Sequence, residues 1–127
     1  MDINYYLAQQ FSPQPCWELV SLVYERELHA VPVNYHATRR TVRQMAGAFR
    51  IAIHEAGHGF VQIAEPVDLC MVMLGRHAHI GVHHCGVYFD GKVLHAQPGI
   101  TLYEDMSVIR DTFAIVEFWA KPTEQGA

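Results

Sequence analysis

Nine histidines occur in 127 residues, and five of them fall between His77 and His95. Imidazole is the side chain whose ordinary pKa lies nearest neutrality, and it is also the commonest metal ligand, so this density points to acid–base catalysis or to metal binding. Two further segments carry chemistry. "CWELVSLVY", residues 16–24, opens on a cysteine, and "HEAGH", residues 54–58, spells a zinc-protease motif. A thiolate at the first turn of a helix is stabilised by amide donors that lack intrahelical partners and by the helix dipole, more so beside an imidazolium.

The elements that must position these groups can be read from turn chemistry. "HHCGVYFDGKVLHAQ" holds two apolar strands around Asp90-Gly91, the preferred pair for a two-residue type I′ turn. That turn pairs Phe89 with Lys92, and every later pair has residue numbers summing to 181, so Gly86 faces His95 and His84 faces Gln97. Side chains two apart share a face. His84, Gly86, Tyr88, Val93, His95 and Gln97 therefore lie on one side of the hairpin, with His84 and His95 as diagonal neighbours roughly 7–8 Å apart at the backbone. Gly86 leaves room for the His95 ring to lean toward His84. The opposite side, Cys85, Val87, Phe89, Leu94 and Ala96, is apolar and suited to packing.

This histidine pair lacks a nucleophile, and Cys16 supplies one. Read alone, Cys16 is more readily a small apolar residue at the edge of a core, since buried cysteine is commonplace. Beside the hairpin it completes a thiol site, with His84 as base and His95 orienting His84 through the other ring nitrogen. Cys85 adjoins His84 but points to the opposite face, and Cys70 sits in an apolar strand; both read as core residues.

Around these segments the chain reads as one α+β domain, residues 1–127. Cys16, Leu19, Val20 and Val23 follow the i, i+3, i+4, i+7 rule, which predicts a first helix over about 16–29. Pro32 forbids continuation through "AVPVNYHA". Thr38 can cap a second helix through Val42, Met45, Ala46, Phe49, Ile53 and Ala56, stopped by Gly57. Short β-rich runs follow: "GFVQIAE", "VDLCMVML", "VHHCGVYF", "KVLHAQ" and "FAIVEFWA", with "GITLYEDMSVIRD" as a loop containing a short helical turn. Helices first and strands after imply N-terminal helices packed on a mainly antiparallel sheet. A net charge of -4 with only 17% charged residues argues against a nucleic-acid partner, and Arg39, Arg40, Arg43 and Arg50 read as a solvated helix face. No run has the length to insert in a membrane, and "MDINYYLAQQFSPQP" lacks the features of a signal peptide, so synthesis and folding in a cytoplasm are expected. Three cysteines without paired spacing do not suggest a disulfide framework.

"CWELVSLVYERELHAVPVNY" resembles the nucleophile segment of the NlpC family of cell-wall cysteine peptidases, especially the short phage-tail members, where a Cys-Trp-Gly-Leu-Val run opens the helix. "HHCGVYFDGKVLHA" resembles the family's second signature, a His-x-Gly-[Val/Ile]-Tyr strand, a turn, and a strand ending in His-Ala. "EPVDLCMVML" and "IVEFWAKP" resemble two further strands, so the likeness spans nearly the whole chain. It implies a papain-like fold with Cys16 as nucleophile, His84 as base and His95 as the orienting residue. It also implies hydrolysis of an amide in peptidoglycan stem peptides, association with phage tail-tip proteins, and action at the cell wall or within a phage tail. No cofactor and no metal are implied. Trp17, Glu18, Tyr88 and Gln97 are the substrate-binding residues expected around that triad, and Tyr5 or Tyr6 matches an upstream tyrosine that lines the family's cleft. Three positions depart from the pattern: Pro15 for Asp, Glu18 for Gly, and Val67 for the Gly before Asp68. A carboxylate at Glu18 is expected to repel an acidic peptide or to raise the Cys16 pKa.

Two alternatives compete. In a zinc peptidase His54 and His58 would bind metal from one helix face with Glu55 activating water, yet the helical pattern stops at about Ala56 and no further motif supplies a third ligand. A non-catalytic tail or wall-binding module of the same fold is the other, motivated by Pro15 and Glu18. His77, His79 and His83 alternate without fixed ligand geometry and are assigned no role.

Overall fold

The computed structural model describes residues 1–9, 15–29 and 60–120, with Pro15 and Trp17 described in their backbone alone. The second helix, the arginine segment and the HEAGH motif lie outside the described residues.

Among the described residues six strands form one sheet: β1 (Val61–Ile63), β2 (Met71–Gly75), β3 (His84–Phe89), β4 (Lys92–Gln97), β5 (Ile100–Asp105) and β6 (Ile115–Ala120). Their spatial order is β1-β6-β2-β3-β4-β5, and each neighbouring pair runs antiparallel. Helices α1 (Ile3–Leu7) and α2 (Pro15–Leu28) precede the sheet, and α3 (Met106–Thr112) lies between β5 and β6. The chain is α+β, as its order of patterns implies.

Strand alternation divides the core in two. Met71, Met73, Cys85, Val87, Leu94 and Ala96 face α1 and α2, where Tyr6, Leu19, Val20, Val23 and Tyr24 close over them. Val72, Leu74 and Val93 face the other way, under Ile109 of α3 and Phe113 and Phe118. The helical spacing in α2 puts Cys16, Leu19, Val20 and Val23 all at 5% exposure or less. Pro15 is tolerated at the head of α2 because the first amide of a helix has no intrahelical acceptor.

The hairpin forms as its turn dictates. Asp90 and Gly91 both take positive φ, 52° and 82°, and the register runs from Phe89–Lys92 to Gly86–His95. The Asp90 amide donates to Asp68 Oδ1 at 2.9 Å, which ties the turn to the segment before β2.

Two segments differ from expectation. Residues 99–111, read as a loop with a helical turn, instead form β5 and most of α3. Pro98-Gly99, with Gly99 at φ 81°, turns the chain tightly enough for Gln97 to pair with Ile100. The strand was hard to see because β5 is an edge strand with no buried residue, so neither of its faces is wholly apolar. Helix α1 was not expected either; the Asp2 carboxylate caps it by accepting from the Tyr5 amide at 3.2 Å. No helix among the described residues is long and apolar enough to cross a membrane.

Candidate active site

The site starts from the hairpin. Gly86 lies opposite His95, and a Cβ there would stand 2.6 Å from the Leu94 carbonyl oxygen and 3.0 Å from His95 Cβ. Only glycine allows β3 and the His95 side chain to approach so closely. His84 Nε2 then lies 2.9 Å from His95 Nδ1, with ring centroids 5.1 Å apart. Phe113 stacks on His84 at 5.8 Å and 15° and meets His95 edge-on at 6.4 Å. This apolar wall helps hold His84 at 9% exposure and His95 at 1%.

The other nitrogen of His95 finds a carboxylate. Its Nε2 lies 2.7 Å from Glu104 Oε1. In the β4–β5 register Glu104 sits opposite Val93, hence on the histidine face and diagonal to His95. Sequence reasoning misses this contact because the β5 segment reads as a loop. The signal was present in Pro98-Gly99: extending the antiparallel register past that turn brings Glu104 beside His95.

Cys16 approaches from the opposite layer. It is the second residue of α2, which packs on the Cys85 face of the sheet, but His84 is the first residue of β3 and the helix start reaches both. Cys85 and His84 are the neighbours that act on the Cys16 thiol. Its pKa is held well below the ordinary thiol value: the Cys85 hydrogen bond is the largest cause, burial opposes it, and the hydrogen bond and charge of His84 reinforce it. Burial, and then Cys16 itself, push Cys85 strongly upward. Of the two thiols, Cys16 is therefore the one whose ionisation the site favours. Cys85 is the fully buried core residue that alternation predicts, and it also acts directly on Cys16, which alternation does not predict. The upward push expected from Glu18 does not prevail.

Thus Cys16, His84 and His95 come together, in that order, and the remaining expected residues distribute around them. Glu18 is half-buried in the first turn of α2, and the Trp17 side chain is outside the described residues. Tyr88 is four residues along β3 from His84, about 13 Å at roughly 3.3 Å per residue, with its ring edge-on to Phe118. Gln97 ends β4, two residues beyond His95. Tyr6 is fully buried, its hydroxyl donating to Glu27 Oε2 at 2.7 Å, so it packs the core and lines no cleft; Tyr5 lies under the Arg26 guanidinium at 3.8 Å.

The chemistry available is that of a buried thiol, its ionisation favoured, beside an oriented imidazole. Burial, then the charge of His84, lowers the His95 pKa against the raising effect of Glu104, which favours a neutral His95. Near the same end, the Arg76 amide donates to His83 Nε2 at 3.1 Å, and the Arg76 guanidinium lies 5.2 Å from the centre of the Phe113 ring. Among the described residues no group of three or more His, Cys, Asp or Glu side chains could hold a metal ion. Compared with family models, with curated proteins and with solved structures, the chain matches none.

The lowered thiol has a direct readout. Only the thiolate reacts with iodoacetamide, so alkylation of Cys16 is expected to stay near its plateau well below pH 8.5, about where an ordinary thiol is half ionised. Burial raises both Cys70 and Cys85, so neither competes for the reagent in this range. A Cys16 rate falling tenfold per pH unit below about 8.5 would show an inert thiol.

Proposed function

We propose that this protein is a thiol hydrolase of the NlpC type, with a papain-like arrangement of helix and sheet. In this reading it cleaves an amide bond in peptidoglycan stem peptides as a component of a phage or phage-like tail. The observation that carries the reading is the meeting of Cys16, at the head of a helix, with the hydrogen-bonded pair His84 and His95.

Cys16 Sγ attacks the carbonyl carbon of the substrate amide. The developing oxyanion meets amide N–H groups at the start of α2, which have no acceptors within the helix. His84, having taken the thiol proton, gives it to the leaving amine, and an acyl-thioester remains on Cys16. Water, deprotonated by His84, then attacks the thioester and regenerates the thiol. His95 holds the His84 ring through Nε2 during both steps. The exposed guanidinium of Arg76, carried on Phe113 beside the histidines and without a carboxylate partner among the described residues, suits a substrate rich in carboxylates.

Incubation with purified peptidoglycan, with soluble fragments read by mass spectrometry, tests the proposal. Release by the untreated protein and none after iodoacetamide is the expected pattern. Release that survives alkylation of Cys16 would refute a thiol mechanism.

A further inference from the structure

We infer that Glu104 is a positioning residue: from the edge strand β5 its carboxylate fixes the tautomer of His95, and through it that of His84, so that a ring lone pair faces Cys16. The inference rests on the thiol-hydrolase reading of the site and extends it from three residues to four.

Two arrangements of protons are open to a pair of neutral imidazoles joined Nε2 to Nδ1. In the first, His84 donates through Nε2–H and its Nδ1 lone pair is left to accept the Cys16 proton. In the second, His95 donates through Nδ1–H, and His84 then carries its proton on Nδ1 and turns an N–H toward the thiol. Only the first can act as a base. Nothing in the histidine pair itself chooses between them.

Glu104 makes the choice. An ionised carboxylate accepts hydrogen bonds and donates none. With Oε1 at 2.7 Å from His95 Nε2, the first arrangement places an N–H against the carboxylate, whereas the second sets a lone pair against it. The choice is enforced by burial: His95 is 1% exposed, so water offers its ring no substitute partner, while the Glu104 side chain is 30% exposed and remains hydrated. The same arrangement serves after proton transfer. When His84 is an imidazolium, its Nε2–H still donates to His95 Nδ1, and His95 still donates to Glu104. One proton moves, between Cys16 Sγ and His84, and His95 keeps its tautomer throughout.

The groups facing this histidine from the surrounding elements are consistent with that assignment. His84 on β3 and Arg76 after β2 place positive charge near His95 and disfavour its protonation; Glu104 on β5 favours it; Phe113 after α3 is apolar. Glu104 is thus the acidic group that offsets Arg76 and, once it has taken the thiol proton, His84.

The test begins on the unaltered protein with nitrogen-15 NMR of the histidine rings at neutral pH. His95 is expected to carry its proton on Nε2 and to leave Nδ1 bare; a proton on His95 Nδ1 overturns the inference whatever any variant does. Glu104→Gln keeps the shape but can donate as well as accept, so it should populate both tautomers. Iodoacetamide labelling of Cys16 at about pH 6 should then slow by about tenfold or more, because the thiolate loses its oriented partner. Glu104→Asp, which retains an acceptor-only group, should recover part of that rate. On peptidoglycan the Gln variant should lose about 10- to 100-fold in kcat with KM unchanged, a fraction of the 10²–10⁴-fold that positioned acid–base groups contribute. A Gln variant with native tautomers and native labelling overturns the inference. A protein with the expected tautomers and labelling that releases nothing from peptidoglycan supports the Glu104 assignment and counts against the substrate reading alone.

Discussion

Cys16→Ala is expected to release no peptidoglycan fragments above background, a loss of at least about 10⁴-fold in kcat. The size follows from the role. Without Sγ no acyl-thioester forms, and His84 has no proton to take from the nucleophile and none to hand to the leaving amine. Residues that act as one unit are grossly non-additive, so His84→Ala in the Cys16→Ala background should cost nothing further, although His84→Ala alone should cost nearly as much as losing the thiol. The fold should survive. Cys16 is 5% exposed, and removing one sulfur from that position costs about 1 kcal/mol, the scale of one buried methylene. Far-ultraviolet circular dichroism and the melting temperature would confirm this. A folded Cys16→Ala protein that still hydrolyses the wall would remove Cys16 from the mechanism.

Gly86→Ala is expected to damage both stability and activity. A methyl group there would stand 2.6 Å from the Leu94 carbonyl oxygen and 2.9 Å from Val93 Cγ1, closer than any van der Waals contact permits. The nearest obstacle is backbone of the paired strand, which cannot rotate aside as a side chain would. Overpacking of this kind costs roughly 1–3 kcal/mol, so the melting temperature should fall by about 4–15 °C at roughly 4–5 °C per kcal/mol for a domain of this size. Relief by separation of β3 and β4 would also pull His84 away from His95, whose Cβ is 3.0 Å from the added methyl. Activity should therefore drop even at temperatures where the variant is folded. An Ala variant that melts and turns over like the native protein would show that the hairpin has slack at this position.

The hairpin was legible because its information is local. Asp90-Gly91 fixes the turn, the turn fixes the register, and the register fixes which histidines meet. The α2 face was legible for a similar reason, since Cys16, Leu19, Val20 and Val23 recur with helical period. Glu104 was not, although Pro98-Gly99 marks the second turn. An edge strand whose six residues are all at least partly exposed gives no clean alternation to read. Cys85 shows a different limit. Alternation assigns it to the face opposite His84, and it does lie there, but at the first residues of a strand a helix start can touch both faces. The order in which strands lie side by side, with β6 inserted between β1 and β2, depends on contacts between distant segments and leaves no local mark.

His84, His95 and Glu104 all belong to one continuous meander, β3 to β5, joined by two-residue turns. Cys16 alone arrives from far along the chain. Local pairings close with less loss of chain entropy than contacts between distant segments. Bringing the histidines and the glutamate together therefore costs less chain entropy than bringing Cys16 to them. The groups that lower its pKa, Cys85 and His84, lie on the sheet, so that lowering depends on the docking of α2.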